Sequence, residues 1–276
     1  MIVFPNAKIN LGLNIVCKRE DGYHNIESVF YPISIMDILE IIPSNNCDKK
    51  FSLEVIDLPD DGKPNLVEKA YKALAQRYDI PPIEVILKKC IPFAAGLGGG
   101  SSDAAYMLKT LSEMFIKECK EEELLEIGKS IGADVPFFLK NKPVFAEGIG
   151  TDFSDIELSL KGYHIVLIKP DIAISTAEAY SGVFPSIPNY DLREELKRPV
   201  NEWRCIVCND FEKSLFPKYP RLKSIKEVLY DMGAEYASMS GSGSSIFGIF
   251  KKLPSKEQIN SILDINDFVY ADKLDV

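Results

Sequence analysis

The sequence predicts an α+β fold rather than a doubly wound parallel sheet. Two observations carry that reading: strand-like and helix-like segments alternate along the chain, and neighbouring strand segments often have no helix between them. The first third is rich in strand signals. KINLGLNIV (Lys8 to Val16) alternates and is built from Ile, Leu and Val, and KREDGYHN after it carries Asp21-Gly22, a hairpin-turn pair. SVFYPISIMDILEII supplies further strand material. In NLVEKAYKALAQRY (Asn65 to Tyr78) the spacing turns helical, with Leu66, Ala70, Ala73, Leu74 and Tyr78 on one side. IEVILKK reads as a strand. The glycine-rich stretch PFAAGLGGGSSDAA (Pro92 to Ala105) follows, and then DAAYMLKTLSEMF, with Ala104, Met107, Leu108, Leu111 and Phe115 on one helical face. EEELLEIGKSIG predicts another helix, its acidic residues at the end the macrodipole favours.

Composition loosens around GIGTDFSDIELSLKG (Gly148 to Gly162), which places a domain boundary there and divides the chain into 1–155 and 156–276. Beyond it, YHIVLIKP predicts a strand and STAEAYSG a short helix with Ser or Thr at its start. SIPNYDLREELKRP is polar and reads as connective. Helices are expected around Asp210 to Leu215 and Leu222 to Met232. EYASMSGSGSSIFGIF reads as a strand, a glycine turn and a second strand.

The 276 residues can bury a sizeable core, and 46% hydrophobic with 26% charged residues is the balance of a soluble globular protein. No apolar run approaches the roughly 20 residues that span a bilayer, and MIVFPNAKIN lacks the basic region and apolar core of a signal peptide, so a cytoplasmic location is expected. A net charge of −9 argues against nucleic acid as a partner. It also requires any anion site to be built locally, from backbone N–H groups and a few lysines. Of six cysteines, Cys205 and Cys208 form the single C-x-x-C, in WRCIVCND, while Cys17, Cys47, Cys90 and Cys119 sit singly as reduced thiols do. A zinc site would want a second pair or nearby histidines, and the only histidines are His24 and His164. The alternation in CIVC favours a strand or core helix.

The order strand, glycine loop, helix is the chemically useful one. A helix beginning near Ser101 exposes its first N–H groups where glycine lets backbone approach an anion without a Cβ in the way. Ser101 and Ser102 can cap that helix or offer a hydroxyl to phosphate or Mg²⁺. A purely structural glycine loop is the alternative. The stretch is not a P-loop: GKS at Gly128 to Ser130 lacks the earlier glycine, Glu123 standing there. Nor does GLGGGSSDAA satisfy G-x-G-x-x-G, because Asp103 fills the last position.

PFAAGLGGGSSDAA resembles the central motif of the GHMP kinases, the superfamily of galactokinase, homoserine kinase, mevalonate kinase and phosphomevalonate kinase. The triple glycine followed by SSDAA is the form of the branch that phosphorylates CDP-methylerythritol. PNAKINLGLNI with DGYHNIESVF, GADVPFF (Gly132 to Phe138) and SMSGSGSSIFGIF (Ser238 to Phe250) match the same branch in the same order, so the resemblance covers nearly the whole chain. It implies a ribosomal-S5-like N-terminal domain and a ferredoxin-like C-terminal one, ATP as phosphoryl donor with Mg²⁺, and a small-molecule acceptor. Whether the chain is a monomer or a homodimer is left open.

Residue by residue, the resemblance implies a Lys8–Asp134 pair at the active centre, with Asp134 accepting the proton of the attacking hydroxyl. Taken alone, Lys8 reads as a solvent-facing residue of a half-exposed strand, and Asp134 as a residue ending or capping a helix. Asn10 shares the strand face of Lys8 and is carried over as a substrate contact. Pro92, Phe93, Ala94, Ala95, Gly96, Leu97, Gly98, Gly99, Gly100, Ser101 and Ser102 would hold the ATP phosphates, with Ser102 able to reach Mg²⁺. Asn65, a natural N-cap, would approach the adenine. Tyr23 and His24 would line the cytosine end of the acceptor, with Tyr180 as the second aromatic of the stack. Gly241 and Gly243 would close over the first glycine loop. Two departures stand out: Ala94 replaces a glycine common two positions before Gly96, and Thr151 and Asp152 follow Gly150 where the family often shows glutamate.

Overall fold

A computed structural model describes residues 1–45, 49–57 and 64–275. Cys47 lies outside the described residues. The strands in chain order are β1 (Ile2–Val3), β2 (Asn6–Lys18), β3 (His24–Met36), β4 (Ile38–Pro43), β5 (Phe51–Ile56), β6 (Ile83–Lys88), β7 (Val144–Glu147), β8 (Asp152–Asp155), β9 (His164–Lys169), β10 (Tyr236–Met239), β11 (Ile246–Phe250) and β12 (Phe268–Lys273). The helices are α1 (Leu66–Ala75), α2 (Gly99–Phe115), α3 (Glu121–Ile131), α4 (Val135–Lys140), α5 (Thr176–Ser181), α6 (Leu192–Glu195), α7 (Phe211–Lys218), α8 (Pro220–Asp231) and α9 (Lys256–Asn260). The mixed architecture is the α+β class predicted.

Compactness divides these elements into two units that interleave along the chain. The first is Met1–Ala7, Ile35–Phe93 and Gly98–Lys142; the second is Lys8–Ser34, Ala94–Leu97 and Pro143–Val276. In the first unit, one sheet runs β1-β4-β6-β5, with β5 and β6 parallel and the other pairs antiparallel. Ile83, Val85 and Leu87 alternate along β6 and are buried, as period-2 patterning demands. Helices α1 and α4 each pack on α2, which buries Ala104, Met107, Leu108 and Leu111 of the stripe read from the sequence and leaves Phe115 half-buried.

The second unit holds two sheets, β2-β3-β7-β8 and β10-β11-β9-β12. Val166 and Ile168 of β9, Ile246 and Phe250 of β11, Phe211 and Leu215 of α7 and Leu222, Ile225 and Leu229 of α8 share one buried core. Each such side chain contributes about 1.5–3 kcal/mol on removal from water.

Three local readings are corrected. Strand β2 is not half-exposed: every residue from Asn6 to Ile15 is buried, so both of its faces are covered. The connective DLREELKRP contains α6, which is anchored by the fully buried Leu192 with Asp191 accepting from the Arg193 N–H at 2.8 Å. The CIVC segment is neither strand nor core helix. It leaves a 3₁₀ turn (Val200–Cys205) that buries Val200 and Trp203, and Cys205 is exposed.

Candidate active site

The glycine loop has two environments. In the second unit, Ala94–Leu97 lies against the turn between β10 and β11. Ser240 Oγ donates to the Gly96 carbonyl at 2.9 Å, and the Ser245 N–H donates to the Ala95 carbonyl at 3.3 Å. The approach is so close that a Cβ built on Gly96, whose φ is +73°, would sit 2.0 Å from the Ser240 carbonyl oxygen. The two glycine segments therefore require glycine because backbone meets backbone. Ala94 has φ +50°, the left-handed region that glycine adopts most readily. Pro92 is half-buried and Phe93 is 61% exposed.

The same unit ties this loop to β2. The Lys8 N–H donates to the Leu97 carbonyl at 3.0 Å. Lys8 is buried; its Nζ donates to Asn10 Oδ1 at 2.7 Å and lies 4.7 Å from the centre of the Phe30 ring. Asn10 Nδ2 donates to Ser28 Oγ at 2.9 Å, and a Cβ on Gly241 would be 3.4 Å from Asn10 Oδ1. Lys8 and Asn10 thus share one face of β2, as the strand period predicts, with parts of both glycine segments beside them.

In the first unit, α2 begins two residues earlier than expected. Gly98 is its N-cap, in the left-handed conformation, and no side chain caps it. The first N–H groups of the helix are therefore not consumed by a capping side chain. Ser102 Oγ is buried and has no hydrogen-bond partner among the described residues. Ser101 Oγ lies close to Gly132: a Cβ there would be 3.8 Å away. Two residues on, Asp134 occupies the N-cap position of α4, yet its carboxylate does not cap that helix. Asn65 does cap, its Oδ1 accepting from the Val67 N–H at 2.9 Å.

Around β3 the turn Arg19–Tyr23 closes by an Arg19 N–H to Tyr23 carbonyl bond of 2.8 Å, leaving Tyr23 62% exposed. His24 and Tyr180 stack at 4.8 Å between centroids with 19° between planes, and Phe211 packs edge-on to Tyr180 at 4.9 Å. Burial, helped by Lys18, lowers the His24 pKa and so favours the neutral imidazole.

Sequence reasoning missed a buried cluster at the base of α2. Lys89, just after β6, donates to Asp103 Oδ2 at 2.6 Å and also to Asp37, whose Oδ1 accepts from the Cys90 and Ile91 N–H groups at 2.5 and 2.8 Å. The available signal was Asp37 in SIMDIL and Lys89 after IEVILK: a charge at the edge of an apolar run must find a partner. Burial opposes the Lys89 charge, but Asp103 and Asp37 outweigh it and raise its pKa. Burial pushes Asp103 up to about 7, despite Lys89 and with Asp37 adding to the rise. Stability should then fall as pH rises from about 4 to 7, because folded Asp103 keeps a proton that the unfolded chain releases near 3.8. Asp103→Asn is expected to flatten that slope in urea titrations across this range; an unchanged slope contradicts the assignment. Lys89→Met, which strands two buried carboxylates, should cost about 3–5 kcal/mol at pH 8.

Comparison with known proteins gives the family. The family model for the GHMP kinases N terminal domain matches residues 65–142, and that for GHMP kinases C terminal matches residues 191–267. The chain is 56% identical over 252 residues to the 4-diphosphocytidyl-2-C-methyl-D-erythritol kinase of Bacteroides fragilis, covering 91% of this chain and 92% of that one. It is 49% identical over 263 residues to the enzyme of that name in Porphyromonas gingivalis, covering 94% and 95%. A crystal structure of 4-(cytidine 5'-diphospho)-2C-methyl-D-erythritol kinase superposes with a TM-score of 0.79 at 28% identity over 98% of both chains. The mevalonate kinase of Methanococcus jannaschii, at 15% identity and TM-score 0.73 over 99% and 98%, shares the fold. Two family domains in order, and relatives that share half the residues over nine-tenths of the length, place the chain among the GHMP kinases, in the group of the 4-diphosphocytidyl-2-C-methyl-D-erythritol kinases.

Proposed function

We propose that the chain transfers the γ-phosphoryl group of ATP to the 2-hydroxyl of 4-diphosphocytidyl-2-C-methyl-D-erythritol, a step of the non-mevalonate isoprenoid precursor pathway. The observation that carries the acceptor is the aromatic pair His24–Tyr180, on a chain that shares 56% of aligned residues with a kinase named for that substrate. Neutral His24 can both donate to and accept from the edge of a cytosine. Tyr23 and Tyr180 offer rings for its face.

In this reading the stretch from Pro92 to Ser102 holds the ATP phosphates. The uncapped start of α2 and the left-handed turns at Ala94, Gly96 and Gly98 support it. Asn65 approaches the adenine while still capping α1. Asp134 accepts the hydroxyl proton, and Lys8, oriented by Asn10, offsets charge on the transferring group. Asn10 also faces the acceptor. Ser102 Oγ, a buried oxygen without a partner among the described residues, fits a ligand to Mg²⁺. When bound, that ion would neutralise phosphate charge. Among the described residues no group of three or more His, Cys, Asp or Glu could hold a metal, so phosphate oxygens and water would complete its shell. Residues 1–155 would form the ATP-binding domain and 156–276 the acceptor-binding one. No described helix is long and apolar enough to cross a membrane, and we place the enzyme in the cytoplasm.

The test is ADP release coupled to NADH oxidation, with CDP-methylerythritol, mevalonate and homoserine offered in turn. Turnover is expected with the first alone; comparable turnover on either of the others overturns the assignment. Tyr23→Ala should raise KM for the cytidine substrate roughly 10-fold or more, the worth of one base–aromatic stack, with KM for ATP unchanged. Equal shifts in both would remove Tyr23 from the acceptor pocket.

A further inference from the structure

The segment WRCIVCND draws the eye for its cysteines, but the side chain that reaches furthest is the next one, Asn209. It is 1% exposed and uses three hydrogen bonds. Its Oδ1 accepts from the Phe211 N–H at 3.0 Å, and its Nδ2 donates to the Met239 and Gly241 carbonyls, both at 2.8 Å. The amide orientation is not arbitrary, since a backbone N–H can only donate and carbonyls can only accept. Met239 is the last residue of β10, and Gly241 lies in the turn that follows it. There the chain leaves the strand ladder, and buried carbonyls need another donor. Asn209 supplies two with one side chain.

What Asn209 is attached to matters as much. The Leu13 N–H donates to the Cys208 carbonyl and the Asp210 N–H to the Leu13 carbonyl, both at 2.8 Å. The Ile15 N–H donates to Asp210 Oδ2, also at 2.8 Å. Residues 208–210 are therefore stitched to β2, the strand that carries Lys8 and Asn10. On its other side the turn reaches the first glycine segment through the Ser240 Oγ to Gly96 bond of 2.9 Å. All of these groups belong to one compact unit.

We propose that Asn209 is a positioning residue for phosphoryl transfer. It sets the second glycine segment against β2, and so fixes where Ala94–Leu97 lies relative to Lys8. The proposal rests on the reading of those segments as the walls of the phosphoryl-transfer site. Asn209 touches no reacting atom. It acts through the Met239 and Gly241 carbonyls; without it the Gly241 carbonyl loses its Asn209 donor, the Met239 carbonyl keeps only the Ser238 hydroxyl at 3.4 Å, and the turn relaxes toward other partners. A displacement of about 1 Å at a reacting centre costs on the order of 100-fold in rate.

The test compares steady-state kinetics and melting temperature for Asn209→Ala, Asn209→Ser and Glu212→Gln in the full chain, assayed well below each melting point. Glu212 is the control. Its carboxylate holds the Met239 N–H at 2.8 Å and Lys226 at 2.6 Å, in the same neighbourhood but not on the turn carbonyls. Asn209→Ala should lower kcat roughly 10- to 100-fold with little change in either KM. Asn209→Ser keeps one short donor for two carbonyls and should fall between Ala and wild type; it decides the question if the Ala variant does not fold. Glu212→Gln should lower the melting temperature and leave kcat near wild type. If kcat of either folded Asn209 variant matches wild type, or falls along with both KM values, the positioning role is wrong. Failure of the functional reading would show separately, as a wild-type chain that releases no ADP with CDP-methylerythritol.

Discussion

Asp134→Ala keeps its fold, binds nucleotide with near-normal affinity, and loses phosphoryl transfer by roughly 100- to 10,000-fold, the usual worth of a positioned general base. The structure makes the first half of that expectation specific. A capping aspartate would cost about 1 kcal/mol on truncation. Asp134 stands at the N-cap position of α4 but makes no cap bond, so truncation removes none there, and Pro136 in the first turn already suits the helix start. The second half follows from chemistry. A secondary or tertiary hydroxyl is a poor nucleophile until its proton has somewhere to go, and the carboxylate is the acceptor proposed. Asp134→Asn, which keeps shape and loses basicity, should fall as far as alanine. Isothermal titration with a non-hydrolysable ATP analogue and the ADP-release assay separate the two halves. Turnover near the wild-type rate in either variant would end the proposed role.

Gly96→Ala is expected to destabilise the fold by about 2–5 kcal/mol and Gly100→Ala to leave stability unchanged or raised, although both lie in one glycine-rich stretch. At Gly96 the new Cβ would meet the Ser240 carbonyl oxygen at 2.0 Å and its carbon at 2.9 Å, and the positive φ adds strain of its own. Neither obstacle is a flexible side-chain end, so the whole second turn must move. At Gly100 the nearest atom is a Leu66 methyl at 3.6 Å, an ordinary contact, and alanine favours the helix by about 0.5–1 kcal/mol. What Gly100→Ala should lose is ATP affinity, because the exposed helix start is where phosphate oxygens must come close. Thermal melts and KM for ATP read the two effects independently. A stable Gly96→Ala chain would show that the two segments do not need their present contact.

Much of the fold was legible because local rules wrote it. The apolar stripe of α2, the acidic first turn of α3 and the Asp21-Gly22 turn each depend on residues a few positions apart. The failures have the same origin reversed. β2 alternates like a half-exposed strand, yet elements far along the chain cover its second face, and no pattern within the strand announces that. CIVC alternates too, but only Cys205 belongs to the 3₁₀ turn that buries Trp203, and the residues after it form neither strand nor helix.

The sequence by itself determined the α+β class, a phosphate-suited loop opening a helix, and the family, because hydrophobic period, glycine placement and four ordered motifs are all properties of the chain read end to end. Only the tertiary structure decided which backbone Gly96 must avoid, which carboxylates neutralise Lys89, and what holds the second glycine turn. Ser240 and Gly96 are 144 positions apart, Lys89 and Asp37 are 52, and Asn209 and Gly241 are 32. Hydrogen bonds and steric contact act over about 3 Å in space and carry no record in sequence of the partner they will find.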